Sequence, residues 1–282
     1  MIPVLRNPAE ARALVAGSRA AGRTVGLVPT MGALHAGHAA LIARAAELTD
    51  DVIVSVFVNP LQFDDPDDLV RYPRDLARDT EAAAAAGAVA VYAPSVEVMY
   101  PDGFDTSVVV DRTASGLEGA ARPGHFRGVA TVVCKLLNTV APDVAVFGRK
   151  DRQQLAVVAR MVTDLDIPVR IVGLDTVREP DGLAMSSRNV RLDPVSRAAA
   201  VVIPRALDSV RVSFGGGERD AARLLGVFRQ VIATEPGARL EYVSLSDADD
   251  LADVDTVSRP AVLSCAVLVG GVRLIDNVDL EP

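Results

Sequence analysis

Aromatic residues are scarce in this chain of 282 residues, where Phe, Trp and Tyr together make up 4% and Trp is absent. Nucleic-acid-binding proteins commonly stack bases on aromatic side chains and use a surplus of cations to displace counterions from phosphates. This chain instead has a formal net charge of −8. We therefore expect no nucleic-acid partner, and any site for an anion must be formed by local groups.

Cysteine is also rare, and long apolar runs are missing. Cys134 and Cys265 fit neither a disulfide framework nor the spacing of a zinc site, which is typical of a protein kept in a reducing cytoplasm. No apolar run approaches the roughly 18–20 residues needed to span a bilayer, and the N-terminal segment lacks the apolar core of a signal peptide. We expect a soluble, cytoplasmic protein with no membrane partner.

Short apolar runs alternate with amphipathic, helix-like segments through the first part of the chain. The apolar runs are TVGLVPT, DVIVSVFVNP, AVAVYAP, DVAVFG and VRIVGLDTV. This alternation predicts a fold of the α/β class, a doubly wound Rossmann-like parallel sheet with helices on both faces. Ligands of such sheets bind beyond the carboxyl ends of the strands, which here are PTMG, FVNPLQF, VFGRKD and the segment after VGLDTV.

The pattern changes near residue 176. Asp193-Pro194 predicts the start of a helix, and a second helix is expected near residues 219–234. EYVSLSDADDL and RPAVLSCAVLVGGVRLIDNV are typical of strands in a small sheet. We therefore predict two domains, a Rossmann-like domain at 1–176 and a smaller α+β domain at 177–282.

The segment PTMGALHAGH begins at the end of the first predicted strand, TVGLVPT, and holds two of the three histidines. Gly32 and Gly37 allow a ligand close to the backbone, and a helix beginning near His38 offers N–H groups and the positive end of its dipole. His35 and His38 can donate hydrogen bonds to the same oxygens, which favours phosphate binding. Two surface histidines at a turn, or a metal site lacking its third ligand, remain alternatives.

Two later segments carry cations and hydroxyls. In FGRKDRQQL, Lys150 can contact phosphate, Asp151 can cap the next helix or hold a ribose hydroxyl, and Gln154 can contact a small polar substrate. The alternative is a solvated basic loop. LAMSSRNVRL places Met185, Ser186, Ser187 and Arg188 in a loop that suits a mobile phosphate clamp, or forms an ordinary polar turn.

Neutral amides and one further cation complete the candidates. Asn59 and Gln62 in VNPLQF suit a neutral hydrogen-bonding pocket, although Pro60 could equally fix a plain β-turn there. Arg122 and His125, just before another predicted helix, are either anion contacts or surface charge.

Six segments in the same order resemble the pantoate–β-alanine ligase family, within the wider HIGH-motif nucleotidylyltransferases. They are PTMGALHAGH, FVNPLQF, RYPRDLARD, HFRGVATVVCKLLN, GRKDRQQL and REPDGLAMSSRNVRLDP. The resemblance implies an AMP-forming ligase that joins (R)-pantoate to β-alanine through a pantoyl adenylate, giving pantothenate, AMP and pyrophosphate on the route to coenzyme A. It also implies ATP as a substrate with Mg²⁺, no tightly bound organic cofactor, a C-terminal lid domain and a homodimer.

The resemblance also assigns roles to individual residues. The implied ATP contacts are Pro29, Thr30, Met31, Gly32, Ala33, Leu34, His35, Ala36, Gly37, His38, Gly148, Arg149, Lys150, Asp151, Val177, Met185, Ser186, Ser187 and Arg188. Of these, His35, His38, Lys150, Ser186, Ser187 and Arg188 are expected to be catalytic, with His38 as proton donor. Gln62 would contact pantoate and β-alanine, and Gln154 would contact pantoate. Asn59 and Arg122 are further candidate substrate contacts, and Asp79 is a candidate Mg²⁺ ligand.

Three arginines depart from the family pattern. Arg78, Arg149 and Arg152 stand where the family often has other residue types, so we expect a more basic rim around the site. Two other functions compete with this one: another HIGH-motif nucleotidylyltransferase acting on a phosphate ester, and a non-catalytic nucleotide-binding protein. The first would need cations for a second phosphate, where this chain offers neutral amides, and the second would not need the MSSR segment.

Overall fold

The computed structural model describes residues 2–64 and 66–282. The chain forms two compact units, an N-terminal unit of Met1–Arg149 and Val157–Asp175 and a C-terminal unit of Lys150–Ala156 and Thr176–Pro282. Segment 150–156 therefore groups with the C-terminal unit, whereas the predicted division at 176/177 placed it in the first domain. The reason is hydrogen bonding to residues late in the chain. The Asn277 side chain donates to the Lys150 carbonyl at 2.9 Å, and Arg152 donates to the Ala248 carbonyl at 2.9 Å.

A six-stranded sheet forms the centre of the N-terminal unit. Its strands are β1 (Val4–Leu5), β2 (Val25–Thr30), β3 (Asp51–Val56), β4 (Ala90–Tyr92), β5 (Val144–Gly148) and β6 (Arg170–Leu174). Their order is β1-β4-β3-β2-β5-β6, and every neighbouring pair is parallel. The predicted doubly wound α/β fold is confirmed. Only the short strand β1 was not predicted.

Helices connect these strands. They are α1 (Pro8–Ala20), α2 (Ala36–Leu48), α3 (Pro66–Arg71), α4 (Leu76–Ala85), α5 (Val96–Met99), α6 (Leu117–Ala121), α7 (His125–Val140) and α8 (Arg152–Asp164). Short 3₁₀ turns lie at Pro60–Gln62 and Arg149–Asp151. Within the part of the chain that the structure describes, none of the helices is long and apolar enough to cross a membrane.

Strands β2 to β5 of the N-terminal unit are largely buried, as their continuous apolar runs predict, whereas the edge strand β6 is exposed or half-buried. Val25, Leu27 and Val28 of β2 and Ile53 and Val54 of β3 are all fully buried. A parallel sheet needs this composition because helices cover both of its faces. Burial of apolar side chains therefore stabilises the sheet, and most of the polar residues lie at the ends of the strands.

The C-terminal unit is built around a three-stranded antiparallel sheet. Its strands are β7 (Ala238–Asp247), β8 (Ala261–Val269) and β9 (Val272–Leu280), and its helices are α9 (Pro194–Ala199), α10 (Val202–Gly215) and α11 (Ala221–Ile232). The predicted helix start at Asp193 is confirmed, since its side chain accepts the Ser196 N–H at 2.8 Å. The smaller α+β character of this part of the chain is also confirmed.

Candidate functional site

Strand β2 is the point at which the order of the sheet reverses. It pairs with β3 on one side and with β5 on the other, so the chain leaves β2 towards one edge of the sheet and later returns to its other side. In open α/β sheets a crevice forms at the carboxyl end of the strand where this reversal occurs. The segment that follows β2 at this end is Met31–His35, the start of the predicted phosphate site.

A buried carboxylate holds the backbone of this segment. Gly32 and Ala33 have φ angles of +86° and +52°, two successive left-handed residues. Asp79 of α4 is 3% exposed, and its two oxygens accept the N–H groups of Ala33 at 3.0 Å and Leu34 at 2.8 Å. A Cβ on Gly32 would lie 2.7 Å from Asp79 Oδ2, so a side chain there would displace this carboxylate as well as strain the left-handed backbone. Asp79 therefore stabilises the turn; its role as a Mg²⁺ ligand stays a prediction.

The two histidines of the motif cap helix α2 reciprocally. His35 is the N-cap residue, and its Nδ1 accepts the Gly37 N–H at 3.1 Å. The Nδ1 of His38 accepts the backbone N–H of His35 at 3.3 Å, and the ring centroids are 4.1 Å apart. Because backbone donors occupy both Nδ1 atoms, each neutral ring carries its proton on Nε2. Both histidines thus present an Nε2–H donor at a helix N-terminus, where an anion is stabilised.

The predicted amide pair lies in the 3₁₀ turn after β3. Asn59, only 1% exposed, donates through Nδ2 to Gln62 Oε1 at 2.8 Å and to the Gly128 carbonyl at 3.2 Å. Gln62 Nε2 lies 3.3 Å from the Sδ of Met31, which joins the amide pair to the end of β2. Asn59, Gln62 and the histidine motif therefore belong to one unit of the protein.

Gly128 of α7 permits this arrangement and was missed from the sequence. A Cβ at this position would lie 2.2 Å from the Leu61 carbonyl oxygen and 2.7 Å from the Gln62 nitrogen. Helix α7 can approach the amide turn only because the residue has no side chain. A glycine inside the apolar helical run of HFRGVATVV was the signal that could have identified it.

Arg122, the other candidate substrate contact, has its charge compensated locally. Its Nη2 lies 2.6 Å from Asp64 Oδ1 and donates to the Gln62 carbonyl at 3.3 Å. Burial opposes ionisation of Asp64, but hydrogen bonding and the charge of Arg122 together lower the pKa of that carboxyl. His125 Nδ1 lies 2.7 Å from the same Gln62 carbonyl. Both residues support the backbone of the amide turn, and substrate contact by Arg122 stays a prediction.

The remaining predicted residues belong mostly to the C-terminal unit. Lys150 Nζ lies 3.9 Å from Asp151 Oδ2, and Gln154 is partly exposed in the first turn of α8. The predicted clamp is the end of a tight hairpin, in which Met185 N donates to the Val177 carbonyl at 2.9 Å. Ser186 Oγ accepts the Arg188 N–H at 3.2 Å.

Ion pairs hold the base of this hairpin. Arg178 binds both carboxylate oxygens of buried Asp276, at 2.7 and 3.0 Å. Glu179 accepts from Arg197 at 2.6 Å and from Asn189 at 2.7 Å. These contacts hold the base of the segment that carries the two serines, and its role as a mobile phosphate clamp stays a prediction.

Two of the three unusual arginines have local partners. Arg149 lies 3.3 Å from Asp175 Oδ1 within the N-terminal unit. Arg152 donates to the Ala248 carbonyl and lies 3.8 Å from Asp279 Oδ1 within the C-terminal unit. Nearby carboxylates thus offset part of the basic charge that the sequence predicted at these positions.

Comparison with known proteins identifies the family. The family model described as pantoate-beta-alanine ligase matches residues 3–279. The chain belongs to the pantoate–β-alanine ligase family. It is 54% identical over 260 residues to a pantothenate synthetase of Heliobacterium modesticaldum, covering 92% of each chain. It is 50% identical over 277 residues to a pantothenate synthetase of Pelotomaculum thermopropionicum, covering 98% of each.

Solved structures of pantoate–β-alanine ligases share the fold. A pantothenate synthetase from Thermus thermophilus matches with a TM-score of 0.94 and 45% identity, over 100% of both chains. A pantoate-beta-alanine ligase from Francisella tularensis, complexed with beta-gamma ATP and beta-alanine, matches with a TM-score of 0.81 and 33% identity, over 99% of this chain and 97% of that one. The predicted family and the assignment of the chain as a ligase are confirmed.

We expect Asp79→Asn to destabilise the protein even without metal or nucleotide. An asparagine turns one acceptor into a donor that faces a backbone N–H, which costs about 1–3 kcal/mol. Thermal or urea unfolding in EDTA measures this. Asp75→Asn is the matched control on the same helix, because asparagine also caps helices well and Asp75 caps α4. Unchanged stability of Asp79→Asn in EDTA would contradict the structural role and favour a metal-ligand role.

Gly128→Ala is expected to displace the amide turn and to destabilise the protein by about 1–3 kcal/mol, the usual cost of overpacking. Gly17→Ala in α1 is the control, because a Cβ there meets nothing within 4 Å. That change should stabilise the protein by about 0.5–1 kcal/mol through helix propensity. Urea denaturation compares the two variants, and equal effects would show that Gly128 is not needed for close packing.

Proposed function

We propose that the chain catalyses the ATP-dependent condensation of (R)-pantoate with β-alanine to give pantothenate, AMP and pyrophosphate, through a pantoyl adenylate. The observation that carries the proposal is the reciprocal histidine cap at the end of β2, which presents two Nε2–H donors at a helix N-terminus. The Francisella relative, whose solved complex contains beta-gamma ATP and beta-alanine, supports the choice of two of the substrates.

The first step is transfer of the adenylyl group. A pantoate carboxylate oxygen forms a bond to the α-phosphorus of ATP, and the bond to the bridging oxygen of pyrophosphate breaks. Negative charge develops on the phosphate oxygens, where hydrogen-bond donors held in place lower the barrier. His38 and His35 supply such donors, and Lys150, Ser186, Ser187 and Arg188 are proposed to do the same for the rest of the triphosphate.

The second step forms the amide bond. The β-alanine amine attacks the acyl carbon, the bond from that carbon to the AMP oxygen breaks, and the amine gives up a proton. Gln62 is proposed to contact both acids and Gln154 to contact pantoate. Neither step uses a nucleophilic side chain. In keeping with this, burial raises the pKa of the Cys134 thiol, with Asn138 and Lys135 acting in the opposite direction.

Magnesium fits this chain as an ion that arrives with ATP. In residues 2–64 and 66–282 no cluster of three or more His, Cys, Asp or Glu side chains could hold a metal. Mg²⁺ is commonly bound by substrate phosphates with only one or two carboxylates. When bound it would neutralise phosphate charge. The homodimer and the cytoplasmic location stay predictions.

We expect AMP release only when ATP, pantoate and β-alanine are all present during turnover. Chromatography of AMP and pantothenate from the purified protein measures this. Without β-alanine, the adenylyl group should stay on the enzyme as bound pantoyl adenylate, and free AMP should not accumulate. Multiple-turnover AMP release without β-alanine, or no release with all three substrates, would contradict the proposal.

Three substitutions at His38 separate its catalytic donor from its role in the cap. His38→Ala should slow single-turnover adenylation by about 10²–10³, as loss of one such donor usually does. His38→Asn should be equally slow, because its Oδ1 can replace the cap acceptor Nδ1 while the Nε2–H is lost. His38→Gln places an amide N–H near the Nε2 position and should retain more activity.

Rapid-quench assays of pantoyl adenylate measure these rates, and helix content by circular dichroism controls for folding. Near-normal adenylation by His38→Asn would show that His38 serves only to cap α2.

A further inference from the structure

Tyr100, Asn59 and Gln62 form a chain of hydrogen-bonded side chains, which we call the relay. It ends at the side-chain amide of Gln62, which is proposed to contact the substrate. The Tyr100 hydroxyl donates to Asn59 Oδ1 at 2.7 Å. The ring packs against Phe57 and Phe104, with centroids 6.0 and 5.0 Å away. These contacts hold the ring of Tyr100, the residue that caps the C-terminus of α5. Burial raises the pKa of Tyr100, so the hydroxyl keeps its proton throughout the neutral range.

Asn59 is the fixed middle member of this relay. Its Oδ1 accepts from Tyr100 and from the Leu61 N–H at 3.3 Å, and its Nδ2 donates to Gln62 Oε1 and the Gly128 carbonyl. Exchanging the oxygen and nitrogen of this amide would set donors against the Leu61 N–H and an acceptor against the Gly128 carbonyl. A buried amide with all these partners therefore has one orientation.

The orientation of Asn59 determines that of Gln62. Because Gln62 Oε1 accepts from Asn59, its Nε2 donors point the other way, towards the thioether of Met31 at 3.3 Å. A thioether is a weak acceptor. A carboxylate or hydroxyl oxygen of a ligand that replaced this thioether would accept a stronger hydrogen bond from the Gln62 N–H.

We propose that Tyr100 is a positioning residue which, through Asn59, keeps the NH₂ end of Gln62 directed towards the acid substrate. The inference rests on the proposed contact between Gln62 and pantoate. The relay selects a ligand group that accepts hydrogen bonds, such as the carboxylate or hydroxyl of a hydroxy acid. It disfavours a donor such as an amine at the same position.

Tyr100→Phe removes the hydroxyl and keeps the ring packing. We expect the Kd for pantoate to rise about 3- to 10-fold, the equivalent of one neutral hydrogen bond, with the Kd for ATP unchanged. Calorimetric titration measures both constants without requiring turnover. Tyr92→Phe is the control, since Tyr92 is a buried tyrosine at the end of β4 outside the relay, and it should leave the pantoate Kd unaltered.

A double-mutant cycle decides whether the effect passes through Gln62. In a Gln62→Ala background, Tyr100→Phe should no longer change pantoate binding. An effect of Tyr100→Phe that persists there, or no effect in the wild-type background, would overturn the relay while leaving the proposed reaction intact. If Gln62→Ala alone leaves pantoate binding unchanged, the assignment of Gln62 fails, and the relay fails with it. Melting temperatures confirm that each variant is folded.

Discussion

The position of β2 between β3 and β5 is the constraint on which the candidate site depends. A parallel sheet that grows first to one side of a strand and then to the other leaves its crevice at the end of that strand. The turn at Met31–His35 occupies this position, and its backbone N–H groups need acceptors within the protein. The left-handed residues Gly32 and Ala33 give the turn its shape. Asp79 then provides the acceptors that stabilise it.

The fixed turn and the fixed helix start have the same physical basis. Backbone N–H groups at the end of β2 and the start of α2 would be costly to bury without acceptors. Asp79 satisfies two of them, and the imidazoles of His35 and His38 satisfy two more. Each histidine is therefore held by its Nδ1. In a neutral ring this bonding leaves the proton on Nε2, the nitrogen to which the proposed mechanism assigns the donor role.

Most of the fold could be predicted from the sequence, and the contacts that shape the site could not. Apolar alternation indicates strands and helices because it reports which faces are buried. It does not report close approaches between segments distant in the chain. Gly128 lies against residues 61–62, and Tyr100 lies 41 positions after the Asn59 that it contacts. The glycine inside α7 indicates a close approach but not the segment that approaches, and nothing in the sequence near Tyr100 indicates its contact with Asn59. The grouping of segment 150–156 likewise depends on bonds to residues 248 and 277.

The proposed mechanism assigns neutral donors to the acid substrate, and this assignment has a chemical reason. The proposed nucleophile is the pantoate carboxylate, which loses negative charge as it bonds to phosphorus. A full cation beside it would stabilise the ground state more than the transition state and so raise the barrier. Asn59 and Gln62 are uncharged, and Arg122, which donates to the Gln62 carbonyl, is paired with Asp64 at 2.6 Å. An amide donor can orient the carboxylate while preserving its nucleophilicity. The proposed mechanism accordingly reserves the stronger donors for the phosphates, where negative charge accumulates.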